Sequence, residues 1–496
     1  MPNPRPLYGR NVIYCDAAEI TAKNVIEVLD KVFPVHLVNR ADIDYLYQYY
    51  KGRQPILDRV KEFNEGINNK IVENRANEIV AFKTGYLMGE PVQYVARRGD
   101  RDEENIELLN EMMFAEDKPC KDTELADWFH ICGTSFRLVL PDPDSEEDEA
   151  PFEIYTLDPR NTFVIYWSGL GHKPLAGVTY TMLTDGTTIF SVYTPSLYME
   201  LEYTGLPGVA TAPNKITKVE PRIWGDVPLI EYPANTARQG AFEIVIPILD
   251  AMNTLESNRV DGVEQFIQSI LVLSGTDLDS EQFQALKEQG GLLLPPDGNA
   301  KYLTSQLNQT QTQTLMDSAY EAVLTICGMP NRNGGSSTSD TGTAVVLRDG
   351  WTAAENRART TEQMFKASER RFLKVLFEIV NTLRNKEFRP SQVDIRFTRR
   401  NYDNIQVKAQ VLVSMLQNDN IHPLLAFEHC GMFVDPMLAY EMSRAYKETA
   451  SKSEKNSILK AIKEATAQSA SEATDKADAS VNTAEQRDPE NEGDEA

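Results

Sequence analysis

The chain has 496 residues, 41% of them hydrophobic and 25% charged, which is typical of a folded protein with roughly three or four domains of about 150 residues each. Its formal net charge of -24 argues against a protein that grips nucleic acid by neutralising phosphates, whereas acidic walls suit a passage along which DNA slides. No apolar run is long enough to span a bilayer, and the N-terminus has no apolar secretion signal, so we expect a cytoplasmic protein without a membrane segment.

The first third of the chain predicts helices. Apolar residues recur at helical spacing over 43–50 and again over 71–80, and Gly52 and Gly89 follow these stretches as helix breakers. A third helix is predicted over 103–116.

From about residue 131 to 235 the pattern changes to short runs of aromatic and β-branched residues, which predict β-strands. Asp185-Gly186 between two such runs predicts a hairpin turn. The segment PDPDSEEDE at 141–149 also joins two predicted strands. It lacks the ordered glycines of a calcium loop, so we interpret it as a solvated loop.

A long helical stretch follows the β region. Its apolar residues recur at steps of three and four, with Arg259 at the one missing position: Ile248, Met252, Leu255, Val263, Phe266, Ile270 and Leu273. Residues 275–312 read as a small inserted unit with a short helix and a strand at AKYLTS, and a second helix, LMDSAYEAVLTICG, leads back to residue 328. Two helices flanking an excursion suggest a hairpin that carries a module at its tip.

The segment GMPNRNGGSSTSDTGTAVVLRDGW at 328–351 is rich in glycine, serine and threonine. A phosphate-binding loop would need a lysine after its last glycine and a preceding strand. Gly335 and Gly342 are followed by hydroxyl residues instead, and the preceding segment is helical. The residues themselves therefore indicate a polar loop that joins two helices, and no nucleotide cofactor.

The clearest helix follows this loop. Phe365, Phe372, Leu376, Ile379 and Leu383 share one face, and residues 345–390 carry ten lysines or arginines against six acids. We interpret the basic stripe as a solvated or subunit-facing surface, with direct contact to DNA as the alternative. VDIRFTR predicts a strand, IQVKAQVLVSMLQNDN and PMLAYEMSRAYKET predict helices, and residues 466–496 have the composition of a disordered acidic tail.

Catalytic and metal-binding patterns are missing from the sequence. The five cysteines form no C-x-x-C pair, and His422, His429 and Cys430 lack a metal-ligand spacing, as does His130 with Cys132. An alternative function, a hydrolase that uses a carboxylate pair in the 131–235 region, has no motif to support it, and a β-rich binding module such as an adhesin would need a secretion signal. No cofactor or metal is predicted.

Five blocks of the sequence resemble the portal proteins of tailed bacteriophages, the SPP1-type siphovirus family. They are YYKGRQPILDR, NNKIVENRANEIVAFKTGYLMGEPVQY, LDPRNTFVIYW, WGDVPLIEYPANTARQGAFEIVIPILDAMNTLESNRVD and CGMPN with TGTAVV. They occur in order between residue 49 and about residue 347, and the helices after 400 are similar to the family's C-terminal part.

The resemblance implies an α+β, multidomain portal fold that assembles as a ring, usually dodecameric, at one capsid vertex. It implies a division of the chain at these boundaries: an N-terminal α/β wing (1–240), a stem helix (241–274), a clip (275–312), a second stem helix (313–328), a tunnel loop (329–346), a long wing helix with a strand (347–400), a crown (401–465) and the acidic tail (466–496).

The resemblance also implies the site residues and the partners. The tunnel loop would face duplex DNA with Gly334, Gly335, Ser336, Ser337, Thr338, Ser339, Asp340, Thr341 and Gly342. The clip would contact terminase or a head-tail adaptor through Asp279, Glu281, Gln282, Lys287 and Lys301. Terminase supplies the ATPase in this family, so a structural conduit is expected, assembled in the host cytoplasm with scaffolding and major capsid proteins and retained in the virion.

Overall fold

The computed structural model describes residues 7–62, 65–97, 103–146, 149–207, 215–222, 224–267, 270–274, 299–303, 309–331, 350–399, 405–433 and 436–451. The chain is mixed α+β, with 51% helix and 19% strand, as the sequence predicts. It divides into one unit over residues 1–402 and a second over residues 403–496.

Seven of the described helices belong to the first unit. They are α1 (Val25–Tyr50), α2 (Arg75–Met88), α3 (Glu103–Ala115), α4 (Lys118–Cys132), α5 (Ile246–Ile267), α6 (Gln309–Cys327) and α7 (Trp351–Arg384). Short 3₁₀ turns occur at Pro55–Asp58, Glu243–Val245 and Pro390–Gln392.

The β-strands fall into four sheets. The strands are β1 (Ile13–Cys15), β2 (Gln93–Ala96), β3 (Thr134–Pro141), β4 (Phe152–Leu157), β5 (Thr162–Trp167), β6 (Pro174–Met182), β7 (Thr187–Tyr193), β8 (Leu197–Thr204), β9 (Lys215–Pro221), β10 (Leu229–Pro233), β11 (Ile270–Ser274), β12 (Asn299–Leu303) and β13 (Val393–Arg396). The largest sheet has the order β1-β5-β6-β7-β8-β9, a second has β10-β3-β4, and β11-β12 and β13-β2 form antiparallel pairs.

The predicted hairpin and acidic loop lie where the sequence places them. Gly186 has a φ of +87° between the antiparallel strands β6 and β7, a conformation that glycine adopts without strain. The Asp185 carboxylate accepts a hydrogen bond from the Thr187 N–H at 2.8 Å, which closes the turn. The segment 141–149 connects the antiparallel strands β3 and β4, and its residues 147 and 148 lie outside the described part of the chain.

Helix α1 covers one face of the six-stranded sheet. Phe33 is fully buried there, with its ring 5.4 Å from both Tyr180 and Phe190. The helix begins at Val25, well before the predicted stretch, because its N-terminal half also presents apolar side chains to the sheet. Pro34 lies inside it.

Helix α2 is shorter than predicted. It begins at Arg75, where the Asn74 side chain accepts a hydrogen bond from the Asn77 N–H as an N-cap. The apolar residues Ile71 and Val72, which extend the helical pattern on paper, precede the cap and lie outside the helix.

Helix α7 confirms the predicted apolar face except at its end. Phe365, Phe372, Leu376 and Ile379 are buried in a core that includes β3, β10 and α4. Leu383 is 39% exposed, because it lies in the last turn of a helix that ends at Arg384.

The prediction of one helix from Ile248 to Leu273 is wrong at its C-terminal end. Helix α5 stops at Ile267, and Ile270–Ser274 is a strand paired with Asn299–Leu303. The apolar run at 270–273 fits the spacing of a helix and that of a strand equally well. Its conformation is decided by the partner strand, which follows only after 24 intervening residues. The returning helix α6 begins at Gln309 rather than at Leu315.

The second unit contains α8 (Ile405–Leu416), α9 (Pro423–Cys430) and α10 (Pro436–Ser451), of which α9 was not predicted. Phe427 is buried, with its ring 5.2 Å from Phe433 and 6.0 Å from Tyr440. His422 caps α9 by accepting a hydrogen bond from the Leu424 N–H at 3.2 Å, so this histidine has a structural role.

Candidate functional site: a helix pair and two excursions

Helices α5 and α6 form a pair that leads out to β11 and returns from β12. Their facing apolar residues, among them Met252, Met316 and Val323, share one buried cluster with α1 and α2. Near its far end the pair is joined by the Arg259 guanidinium, which donates to the Gln313 side-chain oxygen at 2.9 Å. Arg259 therefore serves as a polar contact between the two helices at the position where the apolar pattern of α5 is interrupted.

A segment before α2, residues 69–73, fastens α5 to the rest of the first unit. We call it the strap. Its alternate backbone N–H groups donate to side chains one helical turn apart on α5: Asn69 to Asp261 at 2.8 Å, Ile71 to Ser257 at 3.0 Å and Glu73 to Asn253 at 2.9 Å.

The strap and the helix match in length. Two residues of extended chain advance by about 6.6 Å, and four residues of α-helix advance by about 6 Å, so successive donors meet successive acceptors. Asp261 also pairs with Lys61 and, at 3.2 Å, with Arg59. The strap therefore provides hydrogen-bond donors for Asn253, Ser257 and Asp261, which lie along the polar face of α5.

The first excursion leaves the helix pair through β11 and returns through β12. Ser274 pairs with Asn299, so the two ends of the intervening segment are adjacent. Lys301 lies in β12 opposite Val272. The other predicted contact residues, Asp279, Glu281, Gln282 and Lys287, lie outside the described residues, and their roles remain predictions.

The second excursion spans the residues between Asn331 and Gly350. Every predicted loop residue from Gly334 to Gly342 lies outside the described part of the chain. Its two ends are nevertheless close together, since a Cβ built on Gly350 would lie 3.7 Å from the carbonyl oxygen of Met329. Gly328 and Gly350 have φ values of +64° and +83°, so the chain turns sharply at both ends of this excursion.

The downstream end of the second excursion is held by aromatic and ionic contacts. The Trp351 ring lies 6.1 Å from Phe82 and 6.0 Å from Tyr86. One turn later, Glu355 accepts hydrogen bonds from the Tyr86 hydroxyl and, at two oxygens, from Arg399. Burial alone would raise the pKa of Glu355, but the hydrogen bonds from Arg399 and Arg359 hold that pKa below its ordinary value.

Most cations of α7 have partners within the chain. Arg359 pairs with Glu355, Lys366 with Glu362, and both Arg371 and Lys374 with Asp226. Arg384 donates to the backbone carbonyls of Glu146 and Glu149. These contacts favour the interpretation of the basic stripe as a structural surface over direct contact with DNA.

A buried charge cluster joins α7 to the interior, and it was missed by sequence reasoning. The Glu369 carboxylate lies 3.0 Å from Lys118 and 3.5 Å from Arg137, and it accepts hydrogen bonds from the hydroxyls of Tyr94 and Tyr232. Asp122 supplies the second negative charge: it pairs with Lys118 at 2.7 Å and with Arg137 at 2.5 Å.

The cluster combines two acids with two bases, and these surroundings favour the ionised form of Glu369. Burial would raise the pKa of Glu369, but the positive charges of Lys118 and Arg137 and the two tyrosine hydroxyls lower it below its ordinary value. Charges this deeply buried are tolerated only as hydrogen-bonded pairs. A single acid every few turns on a basic helix gives no sequence signal for such a role.

Among the described acidic residues of the β-rich region, no catalytic pair favours the hydrolase alternative. Its buried acid, Glu231, accepts hydrogen bonds from Arg238, Tyr166 and Thr134 at 2.6 to 2.9 Å, so its oxygens are engaged structurally. Among the described residues, no group of three or more histidines, cysteines or acids is arranged to hold a metal ion. Within the same ranges, no helix combines the length and hydropathy that crossing a membrane requires.

Comparisons with known proteins place these features in a family. Residues 29–456 match a family model described as phage portal protein, SPP1 Gp6-like. No curated protein matches the chain. Solved structures that resemble it include the neck of an empty GTA particle computed with C6 symmetry and the neck of a native GTA particle computed with C12 symmetry. Each has 10% sequence identity and a TM-score of 0.40, and each alignment covers 72% of this chain and 90% of the other.

Proposed function

Because the chain belongs to the phage portal protein family, we propose that it assembles into a dodecameric ring around a channel for double-stranded DNA, at one vertex of the capsid. As a portal protein it is a component of the virion. The observation that carries the ring architecture is the α5–α6 pair with its two excursions, one at each end.

The α5–α6 pair has the properties expected of a stem. Its far end continues into the β11–β12 pair, and the adjacent ends of these strands support residues 275–312 as a clip for terminase and, later, for head-tail adaptors. The strap holds α5 along its length, so a load applied at the clip would reach the wing through Asn253, Ser257 and Asp261.

The second excursion has the composition expected of a tunnel loop. Its serines and threonines offer neutral hydroxyls, and Asp340 discourages lasting contact with phosphate. The adjacent ends at Met329 and Gly350 support a loop that projects from a fixed base. A loop of this composition would let DNA slide, whereas a lysine-rich loop would hold it.

We further propose that the protein acts as a structural conduit and not as an enzyme, and that terminase provides the ATPase for packaging. Scaffolding and major capsid proteins would be its partners during assembly in the host cytoplasm. The contacts of Glu231 support this assignment, because they account for the buried acid of the β-rich region without a catalytic role.

Negative-stain electron microscopy of the purified protein tests the proposal. We expect annular particles with a central hole wide enough for duplex DNA, and mass photometry should give a mass near that of a dodecamer. Compact monomers at every protein concentration would contradict it.

A further inference from the structure

A small recess near the base of the second excursion contains two cations and no acid. Its volume is about 30 Å³, and its polar lining includes Lys83, Tyr86, His130, Arg357 and Thr361. We call it the cationic recess. No carboxylate is present among its lining residues, although the chain as a whole has 74 acids against 50 lysines and arginines.

Neither cation has a partner within the described part of the chain. Lys83 is half-buried and Arg357 is exposed, and the side chains of both make no hydrogen bond or ion pair there. Burial lowers the pKa of Lys83, and the nearby Arg357 charge lowers it further. Several other cations nearby are paired, among them Arg359, Lys366 and Arg399.

Two neighbouring groups that titrate, Cys327 and His130, do not supply the missing negative charge. Burial raises the pKa of the Cys327 thiol to about 11, so it remains uncharged at neutral pH. Burial and the Lys83 charge hold the pKa of His130 well below its ordinary value, so that imidazole is neutral. A half-buried ammonium group without a hydrogen-bond acceptor is destabilising. The recess therefore lacks an anionic partner for Lys83.

We propose that a carboxylate side chain from a second copy of this chain enters the cationic recess and pairs with Lys83 and Arg357. This proposal rests on the proposed ring. The size of the recess favours a carboxylate, because a flexible acidic side chain can reach the half-buried Lys83 ammonium group in so small a space. A phosphate held in a rigid duplex cannot.

Charge complementarity identifies the second copy as the source. Each copy carries a net charge of -24, so neighbours that approach in a ring repel each other unless their contacts match opposite charges. The recess lies beside Gly328, where the chain leaves α6, so the ion pair would connect a neighbouring copy to the base of the second excursion.

A zero-length carbodiimide cross-link provides the direct test, because it joins an amine only to a carboxylate in contact with it. Assembled rings would be made from a mixture of unlabelled and nitrogen-15-labelled chains, and the cross-linked peptides would be identified by mass spectrometry. We expect Lys83 to be linked to an acidic residue in pairs of mixed isotope, which only two different copies can give. Rings in which Lys83 is unlinked, or is linked only within one copy, would overturn the inference and leave the proposed ring intact.

A charge reversal provides a second, independent test. Arg357→Glu should lower the association constant between copies by about tenfold or more, as one lost interfacial ion pair requires. Arg370→Glu is the matched control, because Arg370 is also an exposed arginine of α7 without an ion pair in the described residues. Circular dichroism and thermal unfolding would establish that both variants fold.

The outcomes separate the alternatives. Equal assembly of the two variants would overturn the inference. Normal rings of Arg357→Glu with weakened binding of duplex DNA would also overturn it, because the partner would then be phosphate. Absence of rings from the unmodified protein would instead contradict the proposed function.

Discussion

At the residue scale, the buried acid Glu369 links several elements of the core through ion pairs and hydrogen bonds. It connects the longest described helix to α4, β2, β3 and β10 through two cations and two tyrosines. The neighbouring Asp122 completes a balanced set of two acids and two bases, so no charge in the cluster is left without a counterpart.

Glu369→Gln should therefore destabilise the first unit. The substitution leaves two buried cations with one acid, and breaking a buried pair of this kind costs about 3–5 kcal/mol. Urea unfolding followed by circular dichroism would measure the loss. Glu378→Gln is a suitable control, because Glu378 is exposed on the same helix and makes no ion pair in the described residues.

The pH dependence of that loss follows from the lowered pKa of Glu369. A carboxyl whose folded pKa lies below its unfolded value of 4.5 contributes stability above pH 4.5, and this contribution is lost as the pH falls through the folded pKa. The difference between the wild type and Glu369→Gln should consequently shrink in acid. A difference that is constant down to pH 3 would show that packing, rather than charge, is responsible.

At the element scale, the strap and helix α5 are matched by their geometry. The backbone N–H groups of residues 69, 71 and 73 donate to the side chains of residues 261, 257 and 253, respectively, and successive acceptors are one helical turn apart. The helical period of the apolar residues on α5 is visible in the sequence. The polar residues on its other face become meaningful only when the strap lies against them.

Ser257→Ala should loosen the strap at its centre. The Ile71 N–H would lose its acceptor, and an unsatisfied buried donor costs about 1–3 kcal/mol. Hydrogen exchange followed by mass spectrometry should show faster exchange over residues 69–73. Thr254→Ala should leave it unchanged, because the exposed Thr254 hydroxyl bonds only to the Asp250 carbonyl of its own helix. Equal protection in both variants would mean that the strap is held by its other contacts.

The β11–β12 pair shows a limit of sequence periodicity at the same scale. Residues 270–274 continue the apolar steps of α5, yet they form a strand because Asn299–Leu303 pairs with them. Similarly, Ile71 and Val72 continue the pattern of α2 but belong to the strap, since Asn74 caps the helix after them. In both cases a contact distant in sequence overrides the local pattern.

At the scale of the whole molecule, the two excursions leave the first unit without disturbing it, because the ends of each are adjacent. We therefore expect the fold of this unit to tolerate a change in the length of the second excursion. Halving the length of a loop changes the entropic contribution to the free energy of loop closure by only about 0.6 kcal/mol.

Deletion of residues 334–342 should accordingly preserve the fold and the ring while impairing the packaging or retention of DNA. Electron microscopy would assess the rings, and the DNA content of assembled particles would assess packaging. A deletion of equal length in the acidic tail, residues 480–488, is the control. Loss of the ring would identify the loop as an assembly element and contradict its assignment as a tunnel loop.

The sequence alone determined the α+β class, the β-rich region, the long basic helix and the family, because each of these depends on local propensity, periodicity or blocks of residues read in order. It could not determine where α5 ends, what fastens it, or that Glu369 is buried. It could not show that Lys83 and Arg357 meet in a recess without an acid. These features depend on residues far apart in the chain, whose side chains acquire partners or lose water only when packing brings their elements together, so only the tertiary structure decided them.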